Sequence, residues 1–276
     1  MPELPEVEVI HQFLAKKIIG QTISGLKILT PKSFIGNPKL IEGQKIIKLS
    51  RLGKQLSVVL KNNLVLLFHL KMTGQIIYSG TVLGHPLSSA RSARLIFTLS
   101  NGRKLLFNDQ RKFGWARVFT PAELIKFQKN LGLDVLDPLF TPKYFHSQLQ
   151  SSSRPVKTVL LDQSKFAGIG NIYANDSLFL SKIHPESPAN KISRVKALKL
   201  YHSLLAIMRQ SILAGGSTAK DHGYLKPDGS SGSNQFYFRV YERKREPCLQ
   251  CQTPIKYIKL GGRGTFFCPK CQKIVR

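Results

Sequence analysis

Apolar residues at the start of the chain recur with helical spacing. Those that fall close to one face are Leu4, Val7, Ile10 and Leu14. Pro5 suits a first helical turn, because the missing proline N–H leaves no helical bond unmade there. The pattern therefore predicts a helix over residues 4–19 that buries one face.

The pattern then changes to short apolar runs between about Ile23 and Val118. The runs read ISGLKIL, KIIKL, LSVVL, LVLLFHL, ARLIFTL, KLLFN and ARVF. Turn signals separate them, such as Lys61-Asn62-Asn63 and Ser100-Asn101-Gly102. Short strands at regular spacing predict a β-sandwich or barrel.

The second half of the chain has a helical pattern. LGLDVLDPLFTP (131–142) holds two prolines and suggests a linker. Residues 142–214 follow, with helical segments GNIYANDSLFLSKI (170–183) and YHSLLAIMRQSIL (201–213). The stretch GGSTAKDHGYLKPDGSSGSN (215–234) is too long for a plain turn, so we expect a disordered or a functional loop.

Composition adds a class of partner. The chain has 276 residues, 42 Lys and Arg against 15 Asp and Glu, and a net charge of +27. A folded protein this basic is expected to bind something acidic, with nucleic acid first. The alternatives are a lineage of basic proteins and a membrane-surface protein, but no Lys-rich amphipathic helix favours the latter. There is no export signal and no apolar stretch of membrane length, so we expect a cytoplasmic protein.

All four cysteines lie in PCLQCQTPIKYIKLGGRGTFFCPKCQ, near the end of the chain. Two Cys-x2-Cys pairs separated by sixteen residues match the spacing of one tetrahedral zinc site made by Cys248, Cys251, Cys268 and Cys271. A redox Cys-x-x-Cys motif is the weaker alternative, because no βαβ unit surrounds it. A complete set of four ligands predicts one structural Zn²⁺. The intervening residues predict a hairpin with Arg263 at its tip, either solvated or in contact with phosphate.

Two further stretches are candidates for DNA contact. AGIGNIYAND places Gly168 and Gly170 before Asn171 and a helical run, which is typical of an anion site or of a capped turn. NDQRKFGWARVF sets Arg111 and Phe113 near a turn, where they can either fill a gap between bases or pack in the core. Met72 in HLKMTGQ also lies beside a turn, and it can likewise either fill a gap between bases or pack in the core.

The opening MPELPEVE suggests covalent chemistry. Removal of Met1 exposes Pro2 as a secondary amine, and an α-amine has a pKa of roughly 7.7 to 8. Such an amine can attack a sugar C1′ and form an iminium. Glu3 and Glu6 lie beside it, where a carboxyl group can serve as acid or base. A plain helix start with acidic first-turn residues accounts for the two glutamates but not for proline at position two.

These motifs together resemble the formamidopyrimidine-DNA glycosylase family, the bacterial 8-oxoguanine DNA glycosylases. The likeness covers MPELPEVE, HLKMTG, DQRKFG, LLDQSKFAGIGNIYANDSLF, IHP, GGST and the cysteine hairpin. It implies an α+β multidomain fold: an N-terminal helix with an eight-stranded β-sandwich, then a helix–two-turn–helix domain and a zinc finger. The implied bounds are 1–130 for the catalytic domain, 131–142 for a linker, 143–238 for the helical domain with a lesion loop, and 239–276 for the zinc finger.

The resemblance also implies an activity and residue roles. The enzyme would excise oxidised purines from damaged double-stranded DNA and nick the strand by β,δ-elimination, acting as a monomer at the bacterial nucleoid. Pro2 would be the nucleophile, Glu3 the acid/base, Glu6 its support, and Lys54 in RLGKQL the phosphate ligand beside the lesion. The other implied DNA contacts are His69, Met72, Arg111, Phe113, Lys157, Asn171 and Arg263. The loop 216–236 would close over the extruded base.

Three positions depart from the family pattern, and alternatives remain open. Lys71 and Glu242 stand where glycine is common, Asp176 stands where glutamate is common, and the loop 221–234 diverges. The alternatives are a sister enzyme for oxidised pyrimidines, a non-catalytic DNA-binding relative and, more distantly, an RNA-binding zinc ribbon. Leu4-Pro5 and Phe113 argue against the first alternative. The intact Pro2, Glu3 and Lys54 argue against the second.

Overall fold

The computed structural model describes residues 1–79, 92–218 and 223–275. The chain forms two compact units. Unit 1 comprises Met1–Asn130 and Ser211–Gln235, and unit 2 comprises Leu131–Gln210 and Phe236–Arg276. No helix within the described ranges has both the length and the apolar content that a bilayer span requires.

Helix α1 (Leu4–Ile18) opens unit 1, one residue shorter than predicted. Two sheets follow, in strand orders β1-β7-β8-β6 and β2-β9-β5-β4-β3. The strands are β1 (Ile23–Ile28), β2 (Phe34–Ile35), β3 (Ile46–Leu52), β4 (Gln55–Leu60), β5 (Val65–His69), β6 (Gly74–Tyr78), β7 (Ala93–Leu99), β8 (Lys104–Asp109) and β9 (Trp115–Phe119). The predicted sandwich is confirmed. Its described residues form nine strands rather than the predicted eight. The additional strand is the two-residue β2, which pairs parallel with β9 at a sheet edge.

One apolar core holds α1 and both sheets together. The predicted helix face is buried, with Val7, Ile10 and Leu14 at most 1% exposed. These side chains cluster with those of both sheets, and α1 packs on β3 and β4. The short helix α2 (Pro121–Gln128) closes this part of unit 1, with Thr120 as its cap. Because α1 is packed on β3 and β4, the residues at its N-terminus have a fixed position relative to the sheets.

Unit 2 is mainly helical, as the pattern predicted. Its helices are α3 (Pro142–Gln150), α4 (Val156–Leu160), α5 (Asn171–Leu180) and α6 (Arg194–Leu213), and its strands are β10 (Leu133–Asp134), β11 (Phe166–Ala167), β12 (Lys256–Leu260) and β13 (Arg263–Phe267). The stretch 131–142 lies in this unit, where β10 pairs parallel with β11. The chain passes into unit 1 within α6. The predicted domain bounds remain predictions.

Candidate active site and nucleic-acid interface

The first turn of α1 gathers three of the predicted site residues. Pro2 is buried, and Glu3 and Glu6 are 2% and 1% exposed. Glu3 is the N-cap in an extended conformation, and its N–H donates to Glu6 Oε2 at 2.8 Å. Pro2 and two carboxyl groups thus lie together at one end of α1.

Glu6 also binds a segment from the far end of unit 1. Its Oε1 accepts the N–H of Ser217 at 2.9 Å. We call residues 215–218 and 223–235 the return segment. Gly216 is needed there, because its φ is +81° and a Cβ would lie 2.8 Å from Cε1 of Tyr224 and 3.0 Å from Cγ of Glu6. The return segment therefore lies directly against the start of α1.

The return segment is held by its own hydrogen bonds. Thr218 Oγ1 donates to the Tyr224 carbonyl at 3.1 Å and accepts the N–H of Gly232 at 2.8 Å. Asn234 Nδ2 donates to Ser217 Oγ at 2.8 Å. The described residues of the loop are thus joined to one another by hydrogen bonds, and the function of the loop stays a prediction. The predicted closure over a base also involves residues 219–222, which lie outside the described residues.

Lys54 lies in the tight turn between β3 and β4, directly after Gly53, whose φ is +57°. Desolvation, together with the nearby charges of Lys71 and Lys54, lowers the pKa of His69 to about 3. The N–H of Lys71 donates to His69 Nδ1 at 3.1 Å. His69 is therefore neutral with its proton on Nε2, which makes that nitrogen a donor. The turn, the ring and the two lysines form one positively charged cluster.

Asp109 joins the loops that carry the proposed wedge residues. Its carboxylate accepts from the Thr73 hydroxyl next to Met72, and from the N–H groups of Arg111 and Gly114 at 3.2 and 2.6 Å. Phe113 is 55% exposed, and Arg111 lies over its ring at 5.1 Å. The exposure of Phe113 contradicts the core-packing alternative for this residue. Met72 is only half-buried.

The predicted contacts of unit 2 meet at the cysteine hairpin. The two-residue turn Gly261-Gly262 has positive φ at both positions, and Arg263 follows it at the exposed start of β13. Asn171 Nδ2 and Lys157 Nζ both donate to the Gly264 carbonyl, at 3.0 and 2.8 Å. Lys157 also donates to Thr265 Oγ1 and is 1% exposed. Its ammonium therefore secures the hairpin that presents Arg263.

Asp176 has a structural task in the same unit. Its carboxylate accepts three backbone N–H groups, from Arg239, Val240 and Tyr241, at 2.9 to 3.0 Å. These bonds fasten the chain that leads into the cysteine hairpin to α5. Both carboxylate oxygens of Asp176, which replaces the glutamate common in the family, therefore accept hydrogen bonds.

The four cysteine sulfurs fit a zinc ion. All four lie within 4.8 Å of one another, with separations of 3.9 Å (Cys248–Cys271) and 3.5 Å (Cys251–Cys268 and Cys251–Cys271). A tetrahedron of sulfurs about 2.3 Å from zinc has edges of about 3.8 Å. Thiolates of this number and spacing suit one structural Zn²⁺.

Sequence reasoning missed four residues that organise the site. Ser217 lies in the quoted GGST motif, but nothing in the sequence indicated its bond to Glu6, because the two residues are 211 positions apart. Asp109 lies within the basic–aromatic stretch NDQRKFGWARVF, where the sequence indicates no role for it. The other two, Glu8 and Arg51, lie beside residues that were singled out.

Comparisons with known proteins cover nearly the whole chain. Three family models match: the formamidopyrimidine-DNA glycosylase N-terminal domain at residues 1–116, the H2TH domain of that glycosylase at 131–222, and the zinc finger found in FPG and IleRS at 245–274. A formamidopyrimidine-DNA glycosylase from Chloroflexus aurantiacus is 38% identical over 99% of this chain and 98% of its own.

Solved structures agree. The MutM (Fpg) protein of Thermus thermophilus superposes with a TM-score of 0.88 at 36% identity, covering 98% of both chains. Fpg of Lactococcus lactis, solved with DNA containing an abasic site, superposes with a TM-score of 0.87 at 32% identity, covering 99% of this chain and all of the other.

Proposed function

The chain belongs to the formamidopyrimidine-DNA glycosylase family, and we propose that it removes oxidised purines from duplex DNA and then cleaves the strand at the abasic site. The relatives' name states the glycosylase activity, and the Lactococcus lactis complex contains abasic-site DNA, the product of base removal. A net charge of +27 supports a duplex partner. The enzyme is a base-excision-repair glycosylase and lyase.

The proposed reaction begins at Pro2. Its nitrogen is an amide while Met1 is attached and a secondary amine once Met1 is removed. The amine attacks C1′ as the glycosidic bond breaks, and the base leaves with the bonding electrons and a proton. The C1′–O4′ bond then opens, O4′ takes a proton, and the amine loses its own, which leaves an iminium.

The carboxyl groups beside Pro2 supply the proton transfers. Glu3, buried at the helix N-cap, protonates O4′ in this proposal, and Glu6 holds the N-terminus and the return segment in register. Removal of a C2′ proton expels the 3′ phosphate, and a second elimination expels the 5′ phosphate. Hydrolysis of the remaining imine returns the amine.

DNA binding is proposed for both units. A base inside a duplex is out of reach, so the damaged nucleotide must leave the stack. Met72, Arg111 and Phe113 fill the gap, which offsets part of the few kcal/mol that unstacking costs. Lys54 and His69 bind phosphate beside the lesion, and Arg263 binds the backbone. Asn171 and Lys157 support Arg263, and the return segment covers the base.

Zinc has a structural part in this proposal. Cys248, Cys251, Cys268 and Cys271 would hold the ion, which would cross-link the ends of the hairpin and, with four protein ligands, supply no catalytic chemistry. The hairpin then holds the Arg263 side chain at a fixed position, where its guanidinium can bind phosphate. We place the enzyme in the bacterial cytoplasm as a monomer on the nucleoid, since one chain supplies every proposed site residue and the compared relatives are bacterial.

The observation that carries the proposal is the buried cluster of Pro2, Glu3 and Glu6 at the start of α1. Its test is borohydride reduction in the presence of an 8-oxoguanine:C duplex. The wild type should form a covalent protein–DNA adduct that is absent from Pro2→Gly. An uncut duplex and no adduct with the wild type would remove the enzymatic proposal. A thymine glycol:A duplex run in parallel separates purine from pyrimidine specificity.

A further inference from the structure

An ion pair connects the catalytic helix to the strand before the Lys54 turn. Glu8, on the second turn of α1, accepts from Arg51 Nε through Oε2 at 2.6 Å. The two side chains are only 15% and 7% exposed. A pair so far removed from water loses hydration, so its geometry must be well satisfied to persist.

The second end of the same guanidinium reaches the turn itself. Arg51 Nη1 donates to the Gly53 carbonyl at 2.9 Å. Gly53 has φ +57°, and Leu52 pairs with Gln55 to close the turn on the other side. The carbonyl held by Arg51 belongs to the peptide bond that leads into Lys54. The planar Arg51 guanidinium therefore fixes the orientation of the Gly53–Lys54 peptide bond, and with it the direction in which the Lys54 side chain leaves the backbone.

Glu8 is ionised at any working pH. Burial alone would raise its pKa, but hydrogen bonds from His11, Arg51 and Gln12 and the charge of Arg51 outweigh burial and lower the pKa to about 2. Gln12 Nε2 donates to Glu8 Oε1 at 3.0 Å, and His11 Nδ1 lies 3.4 Å from the same oxygen. The carboxylate is thus a fixed anion on a rigid helix.

The helix gives this pair a functional meaning. Glu3 and Glu8 are five residues apart on the chain, or about 7.5 Å along a helix axis. The nucleophile end of α1 and the anchor of the Lys54 turn therefore belong to one rigid element. We propose that Glu8 and Arg51 are positioning residues that set Lys54, and through it the phosphate beside the lesion, at a fixed distance from Pro2. This inference rests on the proposed function.

Two variants separate positioning from simple stabilisation. Glu8→Gln removes the anion and keeps the side-chain shape. Arg51→Lys keeps a cation next to Glu8, but one nitrogen cannot reproduce the bonds from Nε and Nη1. Both should slow single-turnover excision by about 10- to 100-fold, as expected for misplaced reactants. Affinity for undamaged duplex should fall far less. Arg51→Lys should retain a melting temperature near that of the wild type.

A double-mutant cycle with Lys54→Ala is the decisive measurement. If Glu8 acts through Lys54, Glu8→Gln should change excision less than about twofold in the Lys54→Ala background, since the two losses are not additive. Glu123→Gln, the same change at the exposed cap of α2, is the matched control and should excise like the wild type.

Two results would overturn the inference. One is an equal slowing by Glu8→Gln with and without Lys54, which indicates an effect on the whole unit. The other is wild-type excision by Arg51→Lys. Either result leaves the Pro2-dependent adduct intact, whereas failure of the proposed function removes that adduct from the wild type itself.

Discussion

The carboxylate of Glu6 accepts the backbone N–H of Ser217 at 2.9 Å, which bonds the first helix to a residue 211 positions further along the chain. The other oxygen of the same carboxylate accepts the N–H of Glu3. One side chain therefore holds both the proposed acid and the return segment. Displacement of either partner must disturb the other, so the order of the return segment and the proposed chemistry are mechanically linked.

Gly216→Ala tests this linkage. A Cβ there meets Tyr224 and Glu6 at 2.8 and 3.0 Å, while Gly102, with φ +76° against +81°, has nothing within 4 Å. Both substitutions carry the left-handed backbone cost of about 1–2 kcal/mol. Only Gly216→Ala should also displace Glu6, so it should unfold in less urea than Gly102→Ala and excise more slowly. Equal effects of the two substitutions would contradict the close contact.

Lys71 and Glu242, two departures from the family pattern, both occupy left-handed positions, with φ of +52° and +59°. Glycine adopts this conformation without a steric penalty. Lys71→Gly and Glu242→Gly should each raise the free energy of unfolding by about 1 kcal/mol. Lys129→Gly is the control and should lower it, because Lys129 has φ −50°. Denaturant titration measures these free energies. A lower unfolding midpoint than that of the wild type, for either Lys71→Gly or Glu242→Gly, would contradict the strain assigned to the left-handed backbone.

Lys71→Gly should also raise the pKa of His69 from about 3. Desolvation remains in the variant, but the charge of Lys71, which disfavours the imidazolium, is gone. An NMR titration of the His69 ring measures the shift. Lys129→Gly should leave the titration unchanged, and an unshifted His69 in Lys71→Gly would show that the charge of Lys71 does not contribute to this low pKa.

Salt dependence distinguishes a phosphate ligand from its support. Arg263→Ala should weaken duplex binding by about 1–3 kcal/mol, as for a lost charged hydrogen bond. It should also reduce the slope of log affinity against log salt by about one. Lys157→Met should weaken binding without this change in slope, because the Lys157 ammonium is buried against Gly264 and Thr265. A reduced slope for Lys157→Met would make it a direct phosphate ligand.

Chelation of zinc should weaken duplex binding. Removal of zinc frees Cys268, which directly follows β13, so the hairpin should lose the geometry that presents Arg263. Duplex affinity should fall at least as far as in Arg263→Ala and return when zinc is added back. Metal content by mass spectrometry and affinity by titration are the measurements. Full affinity in the chelated protein would exclude a role for the metal in DNA binding.

Local signals in the sequence predicted several of the observed elements. The helix at residues 4–19 is observed at Leu4–Ile18 because its apolar spacing is uninterrupted. The hairpin with Arg263 followed from a glycine pair between apolar runs. The predicted helix at 201–213 is observed as part of Arg194–Leu213, whose first turns combine lysines and exposed apolar residues with the buried Ala197 and Leu200. The assignment of individual roles stays a prediction for the experiments above.

The sequence by itself determined helix α1, most strands of the sandwich, the cysteine hairpin with its four ligands and the candidate nucleophile, because each depends on residues close together in the chain. Only the tertiary structure decided that Ser217 lies on Glu6, that Asp109 joins the two wedge loops and that Arg51 ties Glu8 to the Lys54 turn. These bonds join distant segments, and their geometry depends on how the sheets and α1 pack. Spacing along the chain carries no record of that packing.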